Sequence, residues 1–432
     1  MERSGKQTHF SGRILSTLQR MSLTVLSTLA VVIMTESGLW LAGCPHEFPE
    51  VVAHPPNLIE QRKQLEFQYL FQTNSAGLRD NEITLQKEAG ERRIFVAGDS
   101  FTEGTGVEAD ERFSNLLEQF FSETGSQVRF INGGLSGAGP LEYGNLFVKK
   151  GLSYQPDALL VCFYPNDVSN TPKQLFRTPF MKNPPRPRSR FRRLLHRFWP
   201  RINTQIEILQ DARRRQANTV TTDFISTVSS EARHRGISET LINRWQSSIP
   251  LSLVTGVNQQ KFNGSILSQG LLNPNYWSDS IDVQSPDAIQ RWNIADSILS
   301  ALVEHCRINS TEIAMVLLPS PFQCDPQSHA EDNPWVASGC QIRPQWLSET
   351  TGIQQRLSDW TQQRTIPFLD LTEEFRRQIQ SGSQLYWKLD GHLTPAGHRA
   401  TAHAIKNWLN SETVFRSLPR PVADQRRPES PP

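Results

Sequence analysis

A chain of 432 residues, 37% hydrophobic and 20% charged, is long enough to bury a large core and too apolar to be a disordered polymer. Its 45 Lys and Arg against 43 Asp and Glu leave a net charge of +2, which argues against a dedicated nucleic-acid binder. Five cysteines in this length, with no CxxC pair and no HExxH, exclude a small disulfide scaffold and the commonest zinc signatures.

The front end is asymmetric. Arg3, Lys6, Arg13 and Arg20 precede an uncharged apolar run from Ser22 to Met34, which continues to Gly43 with one interruption at Glu36. Glu47 and Glu50 follow. A basic flank before the run and an acidic one after it predict residues 1–20 inside the cell and everything beyond residue 45 outside. We read 21–43 as a retained transmembrane signal anchor, with Glu36 near the outer end, where a charge costs least. The alternatives are a cleaved signal peptide, a lipoprotein processing box at Leu41-Ala42-Gly43-Cys44 with Cys44 lipidated, and a buried soluble helix. Outside the cytoplasm, Cys324 and Cys340 either pair as a disulfide or stay as two thiols. Cys162, in the apolar run ALLVCFY, and Cys306, in a helical pattern, read as core residues.

Residues 44–90 have loop composition and read as a lead-in or linker. From residue 91 strands alternate with helices. A strand is predicted over 92–98, a helix over 109–125 ending at Gly125, a strand over 127–132 and a helix over 139–151. The nearly continuous apolar run 157–164 has the look of a central strand buried on both faces. Residues 171–285 break the pattern. Order resumes with a helix over 286–308 behind Ser285 as N-cap, a strand over 313–319, a helix around 345–363, a strand over 367–371 and a helix over 395–410 behind Thr394-Pro395. The alternation predicts one α/β domain over 91–410, a flavodoxin-like three-layer α/β/α sandwich on a central parallel sheet. The insertion 171–285 falls between the third and fourth strands, and 411–432 reads as a disordered tail. Within the insertion the basic stretch 182–215, interleaved with Phe191, Leu194, Leu195, Phe198 and Trp199, is a solvated helix face, a contact for an anionic membrane surface, or a holder for an acidic glycan.

In an open parallel sheet, ligands bind beyond the carboxyl ends of the strands. The first strand ends in Gly98-Asp99-Ser100, the second leads into Asn132 to Gly137, the third ends in Tyr164-Pro165-Asn166-Asp167, and a later loop carries Asp390-Gly391-His392. These are the parts of a serine acyl-transfer site. Ser100 is a weak nucleophile that needs a base, and His392 can supply one. Asp390 is the near candidate to hold the other ring nitrogen of His392. The N–H groups of Ser100 and Gly137 and the side-chain amide of Asn166 are candidate oxyanion donors, the glycine letting the backbone approach without a Cβ. Asp99, Asp167, Asp370 and His398 read as capping, loop-holding or structural groups. The chemistry requires no metal and no organic cofactor.

Four blocks, GDSFTEGTGV (98–107), NGGLSGAG (132–139), YPNDV (164–168) and LDGHLTPAGH (389–398), together resemble the SGNH (GDSL-type) hydrolase superfamily. The resemblance covers the regular pieces 91–170 and 286–410 in the right order. It implies Ser100 as nucleophile, Gly137 and Asn166 as oxyanion partners, His392 as base and Asp390 as third triad member. Asp390 stands two residues before the histidine, where many members of the family place it three before. The run TNSAGLRD (73–80) and the N-terminal anchor resemble a bacterial membrane-anchored branch. Thr102 departs from the G-x-S-x-G elbow of the α/β-hydrolases. The expectation is a serine esterase acting through an acyl-enzyme on an ester-bearing small molecule or glycan, with O-acyl groups of a cell-envelope glycan or lipid as first choice and the domain on the extracytoplasmic (periplasmic) side. An O-acetyltransferase modifying an exported polysaccharide and a non-catalytic glycan-binding or assembly factor are the rivals.

Overall fold

The computed structural model describes residues 5–42, 53–174, 198–202, 204–206, 209, 223–340, 342–411 and 414–415. Most of the basic stretch 182–215, Cys44 and most of the tail lie outside them, as do the expectations placed there. The chain divides into two compact units, one made of 1–51 with 182–220 and the other of 52–181 with 221–432.

The smaller unit contains one long helix, Gly5–Leu41. Its stretch Met21–Leu41 is long and apolar enough to cross a membrane by length and composition, and its side chains are not buried in protein. Glu36, the interruption in the apolar run, accepts the backbone N–H groups of Arg201 and Ile202 at 2.9 Å each, so its charge is met by backbone donors.

The larger unit is built on five parallel strands: β3 (Arg92–Gly98), β4 (Val128–Gly134), β5 (Ala158–Phe163), β6 (Glu312–Leu317) and β7 (Phe368–Asp370), in the order β4-β3-β5-β6-β7. The first of the five lies inside the sheet with its successors on either side, which is the flavodoxin-like order with a topological switch point beside β3. Alternation along β3 decides the layers. Phe95 and Ala97 face one side, with Tyr143, Phe147, Leu299 and Leu357 from the covering helices. Ile94 and Val96 face the other, with Phe113, Leu117, Ile405 and Trp408. Every residue of β5 is buried, as its unbroken apolar run requires.

Most predicted elements fall within a few residues of their places, and Ser285 caps its helix by accepting the N–H of Ala288 at 3.0 Å. Four regions differ. The lead-in is not a linker: Ile59–Lys63 (β1) and Gln68–Gln72 (β2) form an antiparallel hairpin packed on Trp387 through Phe67. The helix expected around 345–363 is a 3-10 turn, Pro344–Leu347, and a separate helix, Gly352–Gln363, because Thr351 and Gln354 close a capping box between them. The insertion is helical over Phe224–Ile281, with its own core around Trp245, Leu267 and Leu271. A helix not foreseen, Thr372–Gln380, follows β7. At the far end, Val414 and Phe415 still pack into the core, beyond the expected start of the tail. Cys162, Cys306, Cys324 and Cys340 are buried free thiols, so Cys324 and Cys340 do not pair. Cys324 sits instead against the Tyr386 hydroxyl, and burial pushes its thiol up to about 12.

Candidate active site

The carboxyl ends of β3, β4 and β5 and the loop before the last helix converge on one cavity of about 890 Å³, lined by Ser100, Gly137, Asn166, Asp390 and His392 among others. Ser100 opens a four-residue helix, Ser100–Glu103, directly after β3. Asp99 is its N-cap and accepts the N–H of Phe101 at 2.9 Å, which is the structural role its position suggested. This buried carboxyl is pushed up to about 6 by desolvation, against the pull of the Phe101 N–H and of His392.

His392 Nε2 lies 2.7 Å from Ser100 Oγ. The other ring nitrogen, Nδ1, donates to Asp390 Oδ1 in a short contact. A carboxylate on Nδ1 fixes the proton there and leaves Nε2 free to accept from the serine hydroxyl. The two-residue spacing therefore suffices, and the reason is local. Gly391 has φ +82°, a left-handed conformation that folds the carboxylate back onto the imidazole of the next residue but one. Burial lowers the His392 pKa, but Asp390 outweighs it, with help from Asp99 and Glu103, and the net direction is upward. Phe101 packs on the ring at 4.8 Å between centroids and on Tyr164 at 3.9 Å.

Gly137 borders the cavity, but not for the reason the sequence suggested. A Cβ there would meet nothing within 4 Å; the requirement is its φ of +73°. Asn166 starts the short helix after β5 at the cavity edge. Asp167 behind it accepts from Tyr164 N and Tyr143 Oη, both at 3.3 Å, and holds that loop. Burial, then Asp99, raises its pKa well above the carboxylate range. Asp370 accepts the N–H of Thr372 at 2.9 Å and its hydroxyl at 2.6 Å, which holds the start of the helix after β7. His398 is fully buried, takes the Phe113 N–H on Nδ1 at 3.3 Å, and is pushed down to about 3 by burial and by Arg79 and Arg112.

Several groups escaped the sequence reading. Glu103, one turn after Ser100, is fully buried; it takes His54 Nε2 at 2.6 Å and the Ser136 N–H at 3.0 Å on Oε1, and the Ser136 hydroxyl at 2.7 Å on Oε2. Burial raises its pKa, but these bonds outweigh it and the net direction is down, so the group is an anion. The i, i+3 spacing from Ser100 was the one signal that could have found it. Glu66, in the turn between β1 and β2, accepts the N–H groups of Leu389 and Asp390 at 2.9 and 2.8 Å. The run 73–80 also gains a physical account. Asn74 Oδ1 accepts from Ala76 N and Leu78 N, and the buried Arg79 donates to the carbonyls of Glu103, Gly104 and Val107 behind the Ser100 helix.

A hydroxyl, an imidazole and a carboxylate are thus linked in series at the switch point of a doubly wound sheet. Residues 94–238 match the family model of the GDSL-like lipase/acylhydrolases, in line with the resemblance to the SGNH (GDSL-type) hydrolases. Solved structures similar to the chain include an esterase, EstA, from Pseudoalteromonas (11% identity over 74% of this chain and 100% of that one, TM-score 0.34). Others are a lipase/acylhydrolase from Enterococcus faecalis (12%, 74% and 95%, TM-score 0.34) and an acetyl-xylooligosaccharide esterase from Geobacillus (12%, 76% and 97%, TM-score 0.36). No curated protein sequence matched the chain.

Proposed function

We propose that this protein is a membrane-anchored serine ester hydrolase that removes O-acyl groups from a cell-envelope glycan or lipid through an acyl-enzyme. Ser100 Oγ attacks the ester carbonyl while its proton passes to His392 Nε2. Asp390 holds the imidazole in the correct tautomer and stabilises the imidazolium. The oxyanion is met by the N–H groups of Ser100 and Gly137 and by the Asn166 amide. His392 then protonates the leaving alcohol, and the Ser100 ester remains. Water, deprotonated by His392, cleaves that ester, releasing the carboxylic acid and restoring the hydroxyl. The apolar stretch Met21–Leu41, with basic residues before it and acidic ones after it, supports an anchor that keeps the catalytic domain on the extracytoplasmic side.

One observation carries the reading: the His392 imidazole is bonded on one side to Ser100 Oγ at 2.7 Å and on the other to the Asp390 carboxylate. The test is a fluorophosphonate probe together with p-nitrophenyl acetate, applied to the full chain in detergent. Labelling at Ser100 and a loss of about 1,000-fold or more in kcat for Ser100→Ala are expected. Equal turnover by the Ser100→Ala variant would overturn the assignment.

A further inference from the structure

Resting on the hydrolase reading above, we propose that the cavity in front of Ser100 is a saccharide-binding site. The ester cleaved is then a short O-acyl group carried on an oligosaccharide, and not a long-chain lipid ester. Nine of the side chains lining the cavity are carboxamides and three are cations (Arg62, Lys63 and Lys261); the apolar part of the wall is seven aromatic residues with only three branched aliphatics, Ile266, Val336 and Leu389. Polar groups interleaved with aromatic rings favour a sugar over a fatty chain. A fatty chain is held by continuous apolar walls, and laying it over carboxamides strips them of water without returning a hydrogen bond. A sugar has the opposite needs. Each hydroxyl both donates and accepts, which the paired donor and acceptor of an Asn or Gln side chain match, and its C–H face packs on aromatic rings.

The helical insertion supplies both elements. Gln259, Gln260, Asn263 and Gln269 come from its segment 259–269, and the helix Tyr276–Ile281 contributes Tyr276 and Trp277, whose rings stand 5.2 Å apart at 89°. The hairpin β1–β2 adds Gln61 and Gln64. Gln64 Oε1, Trp277 Nε1 and Asn333 Oδ1, all on residues that line the cavity, are buried without a hydrogen-bond partner. At about 890 Å³ the space lies near the upper end for small-ligand sites, far beyond the needs of an acetyl group. The five-stranded sheet is complete without the insertion, most of whose buried side chains gather in a third core shared with Phe322, Trp335 and Trp346. Its contribution to this site is therefore recognition.

The experiment uses the full chain in detergent with two substrate series. One is p-nitrophenyl esters from C2 to C16, and the other is O-acetylated tetrasaccharides of glucose, mannose, xylose, N-acetylglucosamine and galacturonic acid, with ethyl acetate as reference. Turnover is expected to fall beyond C4, and at least one acetylated tetrasaccharide to exceed ethyl acetate in kcat/KM by about 100-fold or more. Gln259→Leu and Gln269→Leu should lower the best tetrasaccharide's kcat/KM at least fivefold further than that of p-nitrophenyl acetate. Ser100-dependent turnover that rises through C12–C16 would overturn the saccharide site while leaving the hydrolase reading intact. So would a panel in which no sugar ester surpasses ethyl acetate, or two variants that lower both substrates equally. No Ser100-dependent turnover of any ester would overturn both.

Discussion

Glu103 closes on Ser136 with both carboxylate oxygens, taking the backbone N–H at 3.0 Å on one and the hydroxyl at 2.7 Å on the other. The residue one turn after Ser100 thus grips the residue next to Gly137. Its backing is His54 at 2.6 Å, contributed from before the hairpin. A buried anion bonded in this way fixes the direction of the next peptide N–H, the one assigned to the oxyanion. Glu103 is a positioning residue in this scheme. Glu103→Ala should lower kcat about 10- to 100-fold with KM within about twofold, a fraction of what loss of an oxyanion donor costs. Glu103→Gln should recover much of that rate, because its amide can accept the Ser136 N–H and donate to the hydroxyl. Equal losses in the two variants, or a change confined to KM, would show that the grip does not reach the oxyanion.

The pH profile follows from His392. Catalysis needs the neutral imidazole, and Asp390 raises its pKa despite burial. The acid limb of kcat/KM should therefore have its midpoint above about 6.5, the ordinary histidine value. Asp390→Asn removes the largest raising influence and leaves desolvation, which acts downward. The limb should move to lower pH while the plateau falls about 1,000- to 10,000-fold through loss of the correct tautomer. A limb that stays in place in the variant would assign it to another group.

What the sequence disclosed and what it hid have one physical cause. Strands buried on both faces, such as Ala158–Phe163, are apolar runs whose meaning needs no partner, and the residues at their ends could be read as a site. The hairpin could not be read that way. Ile59–Lys63 is IEQRK, almost wholly exposed, and it is a strand only because Gln68–Gln72 pairs with it and Phe67 packs on Trp387. Thr372–Gln380 buries Thr372, Phe375 and Arg376 at helical spacing, but two of those three are polar, so its buried face does not stand out as apolar in the sequence. Asp390 was legible because Gly391 makes its contact local. Glu66 was not, since its partners lie more than 300 residues further along the chain.

Glu66 bears directly on the loop that carries Asp390 and His392. One of its oxygens takes the N–H groups of Leu389 and Asp390, and the turn between β1 and β2 thereby holds the backbone that carries the Asp390 carboxylate. Glu66→Ala should loosen that backbone and lower kcat about tenfold, since small misplacements of catalytic groups are expensive. Glu66→Gln, which keeps a carbonyl acceptor, should stay within about threefold of the parent. Steady-state kinetics on p-nitrophenyl acetate would check this, and equal activity in the alanine variant would remove the hairpin from the catalytic framework.

Fold stability should carry the signature of His398. In the folded chain its pKa is pushed down to about 3, whereas an unfolded histidine titrates near 6.5. Between those values the unfolded chain binds a proton that the folded chain refuses, so stability falls as pH falls, by about 1.4 kcal/mol per pH unit, and no further below about 3. His329, pushed down to about 4 by burial, adds a second proton over most of the same window. His398→Gln retains an acceptor for the Phe113 N–H but does not titrate. Urea unfolding followed from pH 7.5 to 4.5 should show its stability declining less steeply than the parent's by one proton's worth, with the two curves converging toward acid. Parallel curves would mean that His398 is protonated inside the fold, and that the apolar packing against Phe113 does not exclude its charge.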